Sequence, residues 1–408
     1  TIQHHHSKLF DDFFALCSHS QPPTFTKMSQ QQQTIFVLGA SGQVGTSTVT
    51  ALALKNVNVI AGVRNADRAA PKNAGLVKAG ATLVAADMSK PETLDAAIPA
   101  NSTVLIVTPG AENRADLASN GIQAAIKANA AHIGLISVTA TSGLFARQFS
   151  VPERVLSASG VSHTVFRLPM FMDNLLGQPV KDASSVFLPV PPKAPYNLIA
   201  VADIGEAVAN CLQHPTAYRN RILNLGGSTV TGEKIAAAFA ASVGKEVNYV
   251  TSSIEDTLAT LAQYGIPEWQ AGGAAELYKL FATGDVSTNL PEGNNHTATL
   301  LGRAPTSVEQ FIDAHKQLFG GSPTRVIVLG SSGYVGSATV KALSALGNVE
   351  VIAGVRNVGA AKNAPLLETG AKLVRADMSD AESISAIVQK GDRVVVVTPG
   401  AENRADIA

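Results

Sequence analysis

Short apolar segments alternate with longer amphipathic ones through the first half of the chain. The apolar segments are almost continuous in valine, isoleucine and leucine, which is typical of parallel strands buried on both faces. The strands predicted in this way are Thr34–Leu38, Val57–Ala61, Thr82–Ala85, Thr103–Val107, Ile133–Val138 and Thr164–Leu168. The segments between them are long enough for crossover helices. The pattern therefore predicts an α/β fold built on a doubly wound parallel sheet.

The chain repeats part of itself. The segment from Thr34 to Ala118 matches the segment from about Thr324 to Ala408 at well over half of its positions, with a period of about 290 residues. A period of that length indicates domain duplication and excludes a solenoid. The second copy would supply four strands and about three helices, without a fifth strand or a substrate segment, and its last strand would be an open edge. It indicates either a fragment of a longer tandem protein or a docking module for self-association.

The repeat and the composition together predict the domain organisation. A helix with capping-box spacing at Thr306 and Glu309, and an apolar stripe at Val308, Phe311, Ile312 and Phe319, precedes a glycine-rich linker. The predicted divisions are a flexible extension (1–33), a first unit (34–319) with a nucleotide-binding part (about 34–175) and a substrate-binding part (mainly 176–319), a linker (320–323) and a truncated second unit (324–408).

A glycine loop follows the first predicted strand. Gly39 allows a tight turn, Gly42 lets backbone N–H groups approach a pyrophosphate, and Gly45 lets the next helix pack closely. The N-terminus of that helix then faces the phosphates. The loop predicts a Rossmann dinucleotide site at Gly39, Ser41, Gly42, Gln43, Val44 and Gly45, repeated in the second copy at Gly330, Gly333 and Gly336. The alternative is a glycine turn without a ligand.

The residue after the second strand indicates which cofactor is preferred. NAD-selective sites usually place an acidic residue about 20 residues past the glycines. This chain has Arg64 there, and Arg356 in the second copy. Arginine holds a 2′-phosphate in a forked contact, so NADP(H) is preferred and NAD(H) stays an alternative. Asp87, after the third strand, is placed either to meet the adenine or to cap the following helix.

Composition narrows the class of protein. Hydrophobic residues make up 46 % of the chain, charged residues 15 %, and the net charge is zero, so we expect a globular protein without a direct nucleic-acid interface. No apolar run is long enough to span a bilayer. The two cysteines, Cys17 and Cys211, lie far apart, which predicts a reducing, cytoplasmic location. Organellar targeting by residues 1–27 is the alternative. The run His4–His6 is interpreted as incidental, and no metal site is expected.

Further along the chain, several segments carry a family resemblance. With the glycine loop and Arg64 they resemble the NmrA-like group of atypical short-chain dehydrogenases/reductases, most closely proteins similar to the type 2 NADPH–quinone oxidoreductases. The segments are Ser159–Val161, Thr164–Asn174, Val201–Val208 and Leu223–Gly227. The resemblance covers about Thr34 to Phe319, and the second copy resembles only the first half of the fold.

The resemblance implies where the nicotinamide and its acceptor lie. The nicotinamide is expected beside Thr108, Pro109 and Gly110 and beside the segment Ser137–Thr139. The wall of the acceptor pocket is expected at Met170, Phe171 and Asn174. Met170 and Phe171 are alternatively plain core residues.

Two departures from the family pattern affect the catalytic assignment. No tyrosine is followed four residues later by lysine, so the Tyr-Lys proton relay of short-chain dehydrogenases is missing. The family's frequent lysine in the helix before Ser159 is replaced by Arg154. A guanidinium is a poor proton donor but can stabilise developing negative charge. Arg154 is either a catalytic residue or a surface residue paired with a neighbour.

Two functions follow as hypotheses. One is an NADPH-dependent reductase that passes hydride to a quinone or a similar small carbonyl acceptor, with Ser137, Thr139, Arg154 and Asn174 as catalytic candidates. A quinone can take its proton from water, so the missing relay is tolerable. The other is a non-catalytic NADP(H) sensor that acts through a protein partner, which the missing relay favours. Neither involves a membrane or direct contact with nucleic acid.

Overall fold

A computed structural model describes residues 32–55, 57–285, 290, 294–347 and 349–398. The predictions that concern His4–His6, Cys17 and the end of the repeat beyond Thr398 lie outside the described residues. Among the described residues, no helix combines the length and apolar character that a membrane crossing needs.

A parallel sheet of seven strands forms the centre of the first unit, in the order β10-β6-β5-β4-β1-β2-β3. Its strands are β1 (Thr34–Leu38), β2 (Asn58–Val63), β3 (Thr82–Ala85), β4 (Thr103–Ile106), β5 (His132–Val138), β6 (His163–Leu168) and β10 (Arg221–Asn224). The predicted strands are confirmed, with ends that differ by two residues at most. The strand order reverses between β1 and β4, the point at which a doubly wound sheet opens a ligand crevice.

Helices cover both faces of this sheet and enclose two apolar cores. Those nearest the nucleotide-binding part are α1 (Gln43–Ala53), α2 (Ala74–Lys78), α3 (Pro91–Ala97), α4 (Arg114–Lys127) and α5 (Gly143–Ala158). The later ones are α6 (Val180–Ala183), α7 (Val201–Gln213), α8 (Gly232–Val243), α9 (Ile254–Gln263), α10 (Glu268–Thr283), α11 (Thr297–Leu301) and α12 (Val308–Ala314).

A smaller subdomain follows β6 and has its own apolar core. Its strands form a sheet ordered β11-β9-β7 and a pair β12-β8. They are β7 (Met170–Phe171), β8 (Ser185–Leu188), β9 (Tyr196–Ile199), β11 (Ser228–Val230) and β12 (Asn248–Thr251). Between them the chain returns to the large sheet through α7 and β10. Helix α7 packs so closely on α1 that a Cβ on Gly205 would lie 2.2 Å from Ser47 Oγ. The two parts of the first unit are therefore interwoven.

The predicted cap of α12 is wrong by one residue. Ser307 and Gln310, in place of Thr306 and Glu309, form the capping box. Thr306 is occupied elsewhere, because its backbone N–H and its hydroxyl both donate to the Asp203 carboxylate, at 2.6 and 3.1 Å. The predicted apolar stripe is confirmed, since Val308, Phe311, Ile312 and Phe319 are all buried.

The second unit is a four-stranded parallel sheet in the order β15-β14-β13-β16. Its elements are β13 (Thr324–Leu329), α13 (Tyr334–Ser344), β14 (Val349–Val355), α14 (Ala364–Leu367), β15 (Lys372–Arg375), α15 (Ala381–Ser385) and β16 (Arg393–Val396). The order repeats β3-β2-β1-β4 of the first unit. In the described part of the chain, β16 pairs with β13 on one side and with no strand on the other.

Candidate functional site

The glycine loop between β1 and α1 has the form that a phosphate cradle requires. Gly39 has φ +81°, and a Cβ there would lie 2.3 Å from the Val107 carbonyl oxygen. A Cβ on Gly45 would lie 2.4 Å from the Gly39 carbonyl oxygen. Gly42 is exposed at the N-cap of α1 with no side-chain cap, so the first N–H groups of the helix are left for a ligand. The chain's own residues thus fit a bound pyrophosphate.

A cleft of about 770 Å³ starts at this loop and runs along the carboxyl ends of the strands. It brings most of the predicted site residues together. Those that line it are Gly39, Ser41, Gly42, Gln43, Val44, Arg64, Asp87, Thr108, Pro109, Gly110, Ser137, Met170, Phe171 and Asn174. Gly45 acts behind the loop, in helix packing. Met170 and Phe171 are half-buried and face the cleft, so neither is purely a core residue.

One end of the cleft carries positive charge. Arg64 is exposed there, and Lys72, which the sequence did not single out, lines the same end. The buried Asn73 amide holds their loop by donating to the Asn65 and Asp67 carbonyl oxygens, at 2.8 and 2.7 Å. Two cations on a braced loop suit a 2′-phosphate.

Asp87 lies beside these cations and does not cap the next helix, whose N-cap is Lys90. Its carboxylate accepts hydrogen bonds from the backbone N–H and the hydroxyl of Ser89, at 2.9 and 2.8 Å. The bond from the Ser89 backbone, followed by smaller effects that include the charge of Arg64, keeps the pKa of Asp87 below its ordinary value. Asp87 is therefore an ionised acceptor at this end of the cleft.

The other end contains a hydrogen-bonded group that sequence reasoning missed. The Ser137 hydroxyl donates to Glu153 Oε1 at 2.5 Å. Arg167 forks onto the same carboxylate, with Nε at 3.0 Å from Oε1 and Nη2 at 2.5 Å from Oε2. This bond raises the pKa of Arg167. The Ser137 proton is thus committed to Glu153, so Ser137 Oγ can act only as an acceptor toward any further partner.

Two predicted catalytic residues do not line the cleft. Arg154 is exposed on α5 and donates from Nη1 to Ser150 Oγ at 3.1 Å, which agrees with the surface alternative. Each residue of an α-helix is rotated about 100° from the last, so the inward position belongs to Glu153. Thr139 is buried and lines a separate small cavity of about 60 Å³, next to Leu277 and Phe281.

A third cation also reaches the cleft unpredicted. Arg114, the first residue of α4, is buried and lines the cleft close to the Thr108–Ala111 loop. The rings of Phe145, Phe149 and Trp269 surround its guanidinium. Among the described residues, no group of His, Cys, Asp and Glu side chains is arranged to hold a metal ion.

The sequence profile of the NmrA-like family matches residues 31–312 and 322–408. The protein belongs to the NmrA-like family. Both units fall within these matches.

Known proteins resemble the first unit. The NAD(P)H azoreductase of Xenophilus azovorans is 26% identical over 296 residues, which is 70% of this chain and 99% of the azoreductase. Among solved structures, an NADPH-dependent quinone oxidoreductase from Escherichia coli superimposes with a TM-score of 0.58 at 23% identity, over 68% of this chain and 98% of its own. NmrA, a negative transcriptional regulator crystallised with NADP, gives 0.58 at 15% identity, over 70% and 95%. Reductases and a regulator thus share this fold.

Proposed function

We propose that the first unit is an NADPH-dependent reductase that passes hydride to a small flat acceptor of the quinone or carbonyl type. The observation that carries the proposal is the continuity of the cleft. It joins a phosphate cradle and two cations at one end to an apolar wall of Pro109, Met170 and Phe171 at the other. A dinucleotide bound along it would bring its nicotinamide to that wall.

The chain's residues divide the binding work along the cleft. The loop from Gly39 to Gly45 would hold the pyrophosphate, while Arg64 and Lys72 would hold the 2′-phosphate. Bound NADPH supplies the hydride. The relation to the azoreductase, whose name specifies NAD(P)H, supports a reduced nicotinamide dinucleotide as the cofactor, and the choice of NADPH rests on Arg64 and Lys72.

At the acceptor end the protein positions and does not relay protons. Met170 and Phe171 offer apolar surface to a planar ring, and water is displaced from it when the ring binds. The exposed Asn174 amide can donate a hydrogen bond to a carbonyl oxygen of the acceptor. Ser137 Oγ, whose proton is held by Glu153, can only accept a hydrogen bond, so it suits a donor such as the hydroxyl of the reduced product. A reduced quinone takes its protons from water, so this set of residues is sufficient.

One observation favours a second function, a sensor of the NADP(H) redox state that acts through a protein partner. No tyrosine lines the cleft in the part of the chain that the structure describes, and the Ser137 proton is engaged by Glu153. Carbonyl acceptors that need a proton from the enzyme would then not be reduced. The regulator NmrA, which binds NADP, shares the fold.

Turnover separates the two functions. The absorbance of NADPH is followed with menadione, other quinones, azo compounds and simple carbonyls, in the intact chain and in Gly39→Ala. Oxidation that needs an acceptor and disappears in Gly39→Ala supports the reductase. Tight binding of NADPH without oxidation of any acceptor would replace it with the sensor.

A further inference from the structure

Arg114 is a buried cation for which the described protein provides no anion. It is 8 % exposed, and no carboxylate of the described residues lies within ion-pair distance. The one hydrogen bond of its guanidinium to the described residues runs from Nε to the Ala111 carbonyl oxygen, at 3.2 Å. Burial lowers its pKa. A guanidinium carries five N–H donors, so most of them are left for a ligand.

Aromatic rings hold this guanidinium in place. Its carbon lies 5.3 Å from the ring centre of Phe145, 5.0 Å from Phe149 and 5.1 Å from Trp269. Each such contact attracts a cation to the face of the ring, and together they offset part of the cost of burial. The aromatic rings contact the central carbon of the guanidinium, but they cannot accept hydrogen bonds from its N–H groups in the way that an anion can. These three rings, Phe145, Phe149 and Trp269, form an aromatic cage that holds the guanidinium in place but does not neutralise its charge.

The position of the cage separates it from the cofactor's phosphates. Two of its rings come from α5 and the third from α10, and none belongs to the glycine loop or to the Arg64 loop. Gln270, next to Trp269, lines the cleft as well. Arg114 follows the Thr108–Ala111 loop, so it stands at the acceptor end, with an apolar wall beside it.

We propose that Arg114 binds the acidic group of the electron acceptor, so that the preferred acceptors are flat aromatic compounds that carry a sulfonate or a carboxylate. The apolar wall takes the ring, and the planar fork of the guanidinium takes two oxygens of the anion. This inference rests on the proposed reductase for its meaning, but the binding itself is independent of turnover.

The test uses a matched pair of ligands that differ in charge, naphthalene-2-sulfonate and naphthalene-2-sulfonamide. Calorimetry measures their dissociation constants on the intact chain saturated with NADP⁺. We expect the sulfonate to bind about tenfold to hundredfold more tightly, the range for a hydrogen-bonded charged contact. Arg114→Met should remove this preference, and Arg114→Lys should keep part of it. The matched control is Arg219→Met, an exposed arginine outside the cleft, which should retain the full preference.

Two results would overturn the assignment. One is equal binding of sulfonate and sulfonamide by the unmodified chain. The other is an Arg114→Met variant that weakens NADP⁺ but keeps the sulfonate preference, which would make Arg114 a cofactor anchor. Trp269 is the single tryptophan of the chain, so its fluorescence on the unmodified protein reports on the cage even if a variant fails to fold. If the chain preferred the sulfonate but oxidised NADPH with none of the acceptors tested for turnover, the reductase proposal would be wrong and the anion site at Arg114 would still be supported.

Discussion

The two units carry the same glycine loop in different surroundings. Gly39 and Gly330 have φ +81° and +77°, and a Cβ on them would lie 2.3 and 2.5 Å from the carbonyl oxygens of Val107 and Val397, the residues that directly follow β4 and β16. In the first unit the loop opens on a cleft whose far end is lined by residues of β5, α5 and the smaller subdomain. In the second unit the described sheet ends at β16.

This difference separates what a sequence motif specifies from what a site requires. The motif fixes a local turn, and both copies adopt it with the same strand order around it. The acceptor end depends on elements that only the first unit has among the described residues, namely Ser137 on β5, Glu153 on α5 and Trp269 on α10. Substitutions at equivalent positions of the two copies can therefore test which features are functional.

The largest difference is expected when the first glycine of each loop is replaced. Gly39→Ala forces a Cβ onto the Val107 carbonyl at a positive φ, so it should abolish NADPH oxidation and destabilise the first unit by about 2–4 kcal/mol. Gly330→Ala imposes the same strain on the second unit and should leave turnover within about twofold. Turnover and urea unfolding followed at Trp269 provide the readouts. Loss of turnover in Gly330→Ala would show that the copies act together.

Acid should weaken the first unit first. His132 on β5 is buried between Ser162 and Thr164, and burial, with a smaller effect of His163, lowers its pKa from 6.5 to about 4. Between these two pH values His132 is protonated in the unfolded chain and neutral in the folded chain. The free energy of unfolding is therefore highest, as far as His132 is concerned, above pH 6.5, and it falls by up to about 3 kcal/mol as the pH drops toward 4.

Urea unfolding followed at Trp269 between pH 7 and 4.5 measures this loss, and His132→Gln should flatten it. In the second unit the groups with lowered pKa are the carboxyls Asp377 and Asp380, whose ordinary value is 3.8, so acid acts on them only at lower pH. An unfolding free energy that does not change with pH in the unmodified chain would contradict the buried neutral histidine.

The arginines after the second strand of each unit provide the next test. Arg64→Gln should weaken NADPH binding about tenfold to hundredfold and leave NADH binding nearly unchanged, because only NADPH has the 2′-phosphate. Arg356→Gln is the equivalent change in the second unit and should leave the dinucleotide affinity of the cleft as it was. Equal losses for NADPH and NADH in Arg64→Gln would place that arginine away from the 2′-phosphate.

Much of this could be predicted from the sequence, because the signals are local. Strand periodicity and the turn of the glycine loop depend on neighbouring residues, and the structure confirms the strands and the positive φ of Gly39, while the binding of a dinucleotide stays a prediction. The Arg114 cage joins residues 155 positions apart through the docking of α10, and no local pattern encodes that contact. Arg154 was chosen by its place in a motif, whereas the rotation of α5 turns Glu153 inward. The cap at Ser307 was missed because Asp203 binds Thr306 from a distant helix.

The smallest expected difference concerns the caps of two equivalent helices. Asp380 caps α15 by accepting from the Ser383 backbone N–H, whereas Lys90 at the same place in the first unit provides no side-chain cap for α3. Lys90→Asp should stabilise the first unit by about 0.5–1 kcal/mol, and Lys90→Ala, the control, should not. Urea unfolding at Trp269 measures both. An equal gain in the two variants would mean that loss of the lysine, and not the cap, is responsible.

The central claim is that the cleft of the first unit holds NADP(H), and an equilibrium titration of the intact chain with NADPH and with NADH tests it most directly. The fluorescence of the reduced nicotinamide reports binding. We predict saturable binding of NADPH that is tighter than that of NADH and is lost in Gly39→Ala. The account would be contradicted if the unmodified chain bound neither nucleotide, or if Gly39→Ala bound NADPH as tightly as the unmodified chain does.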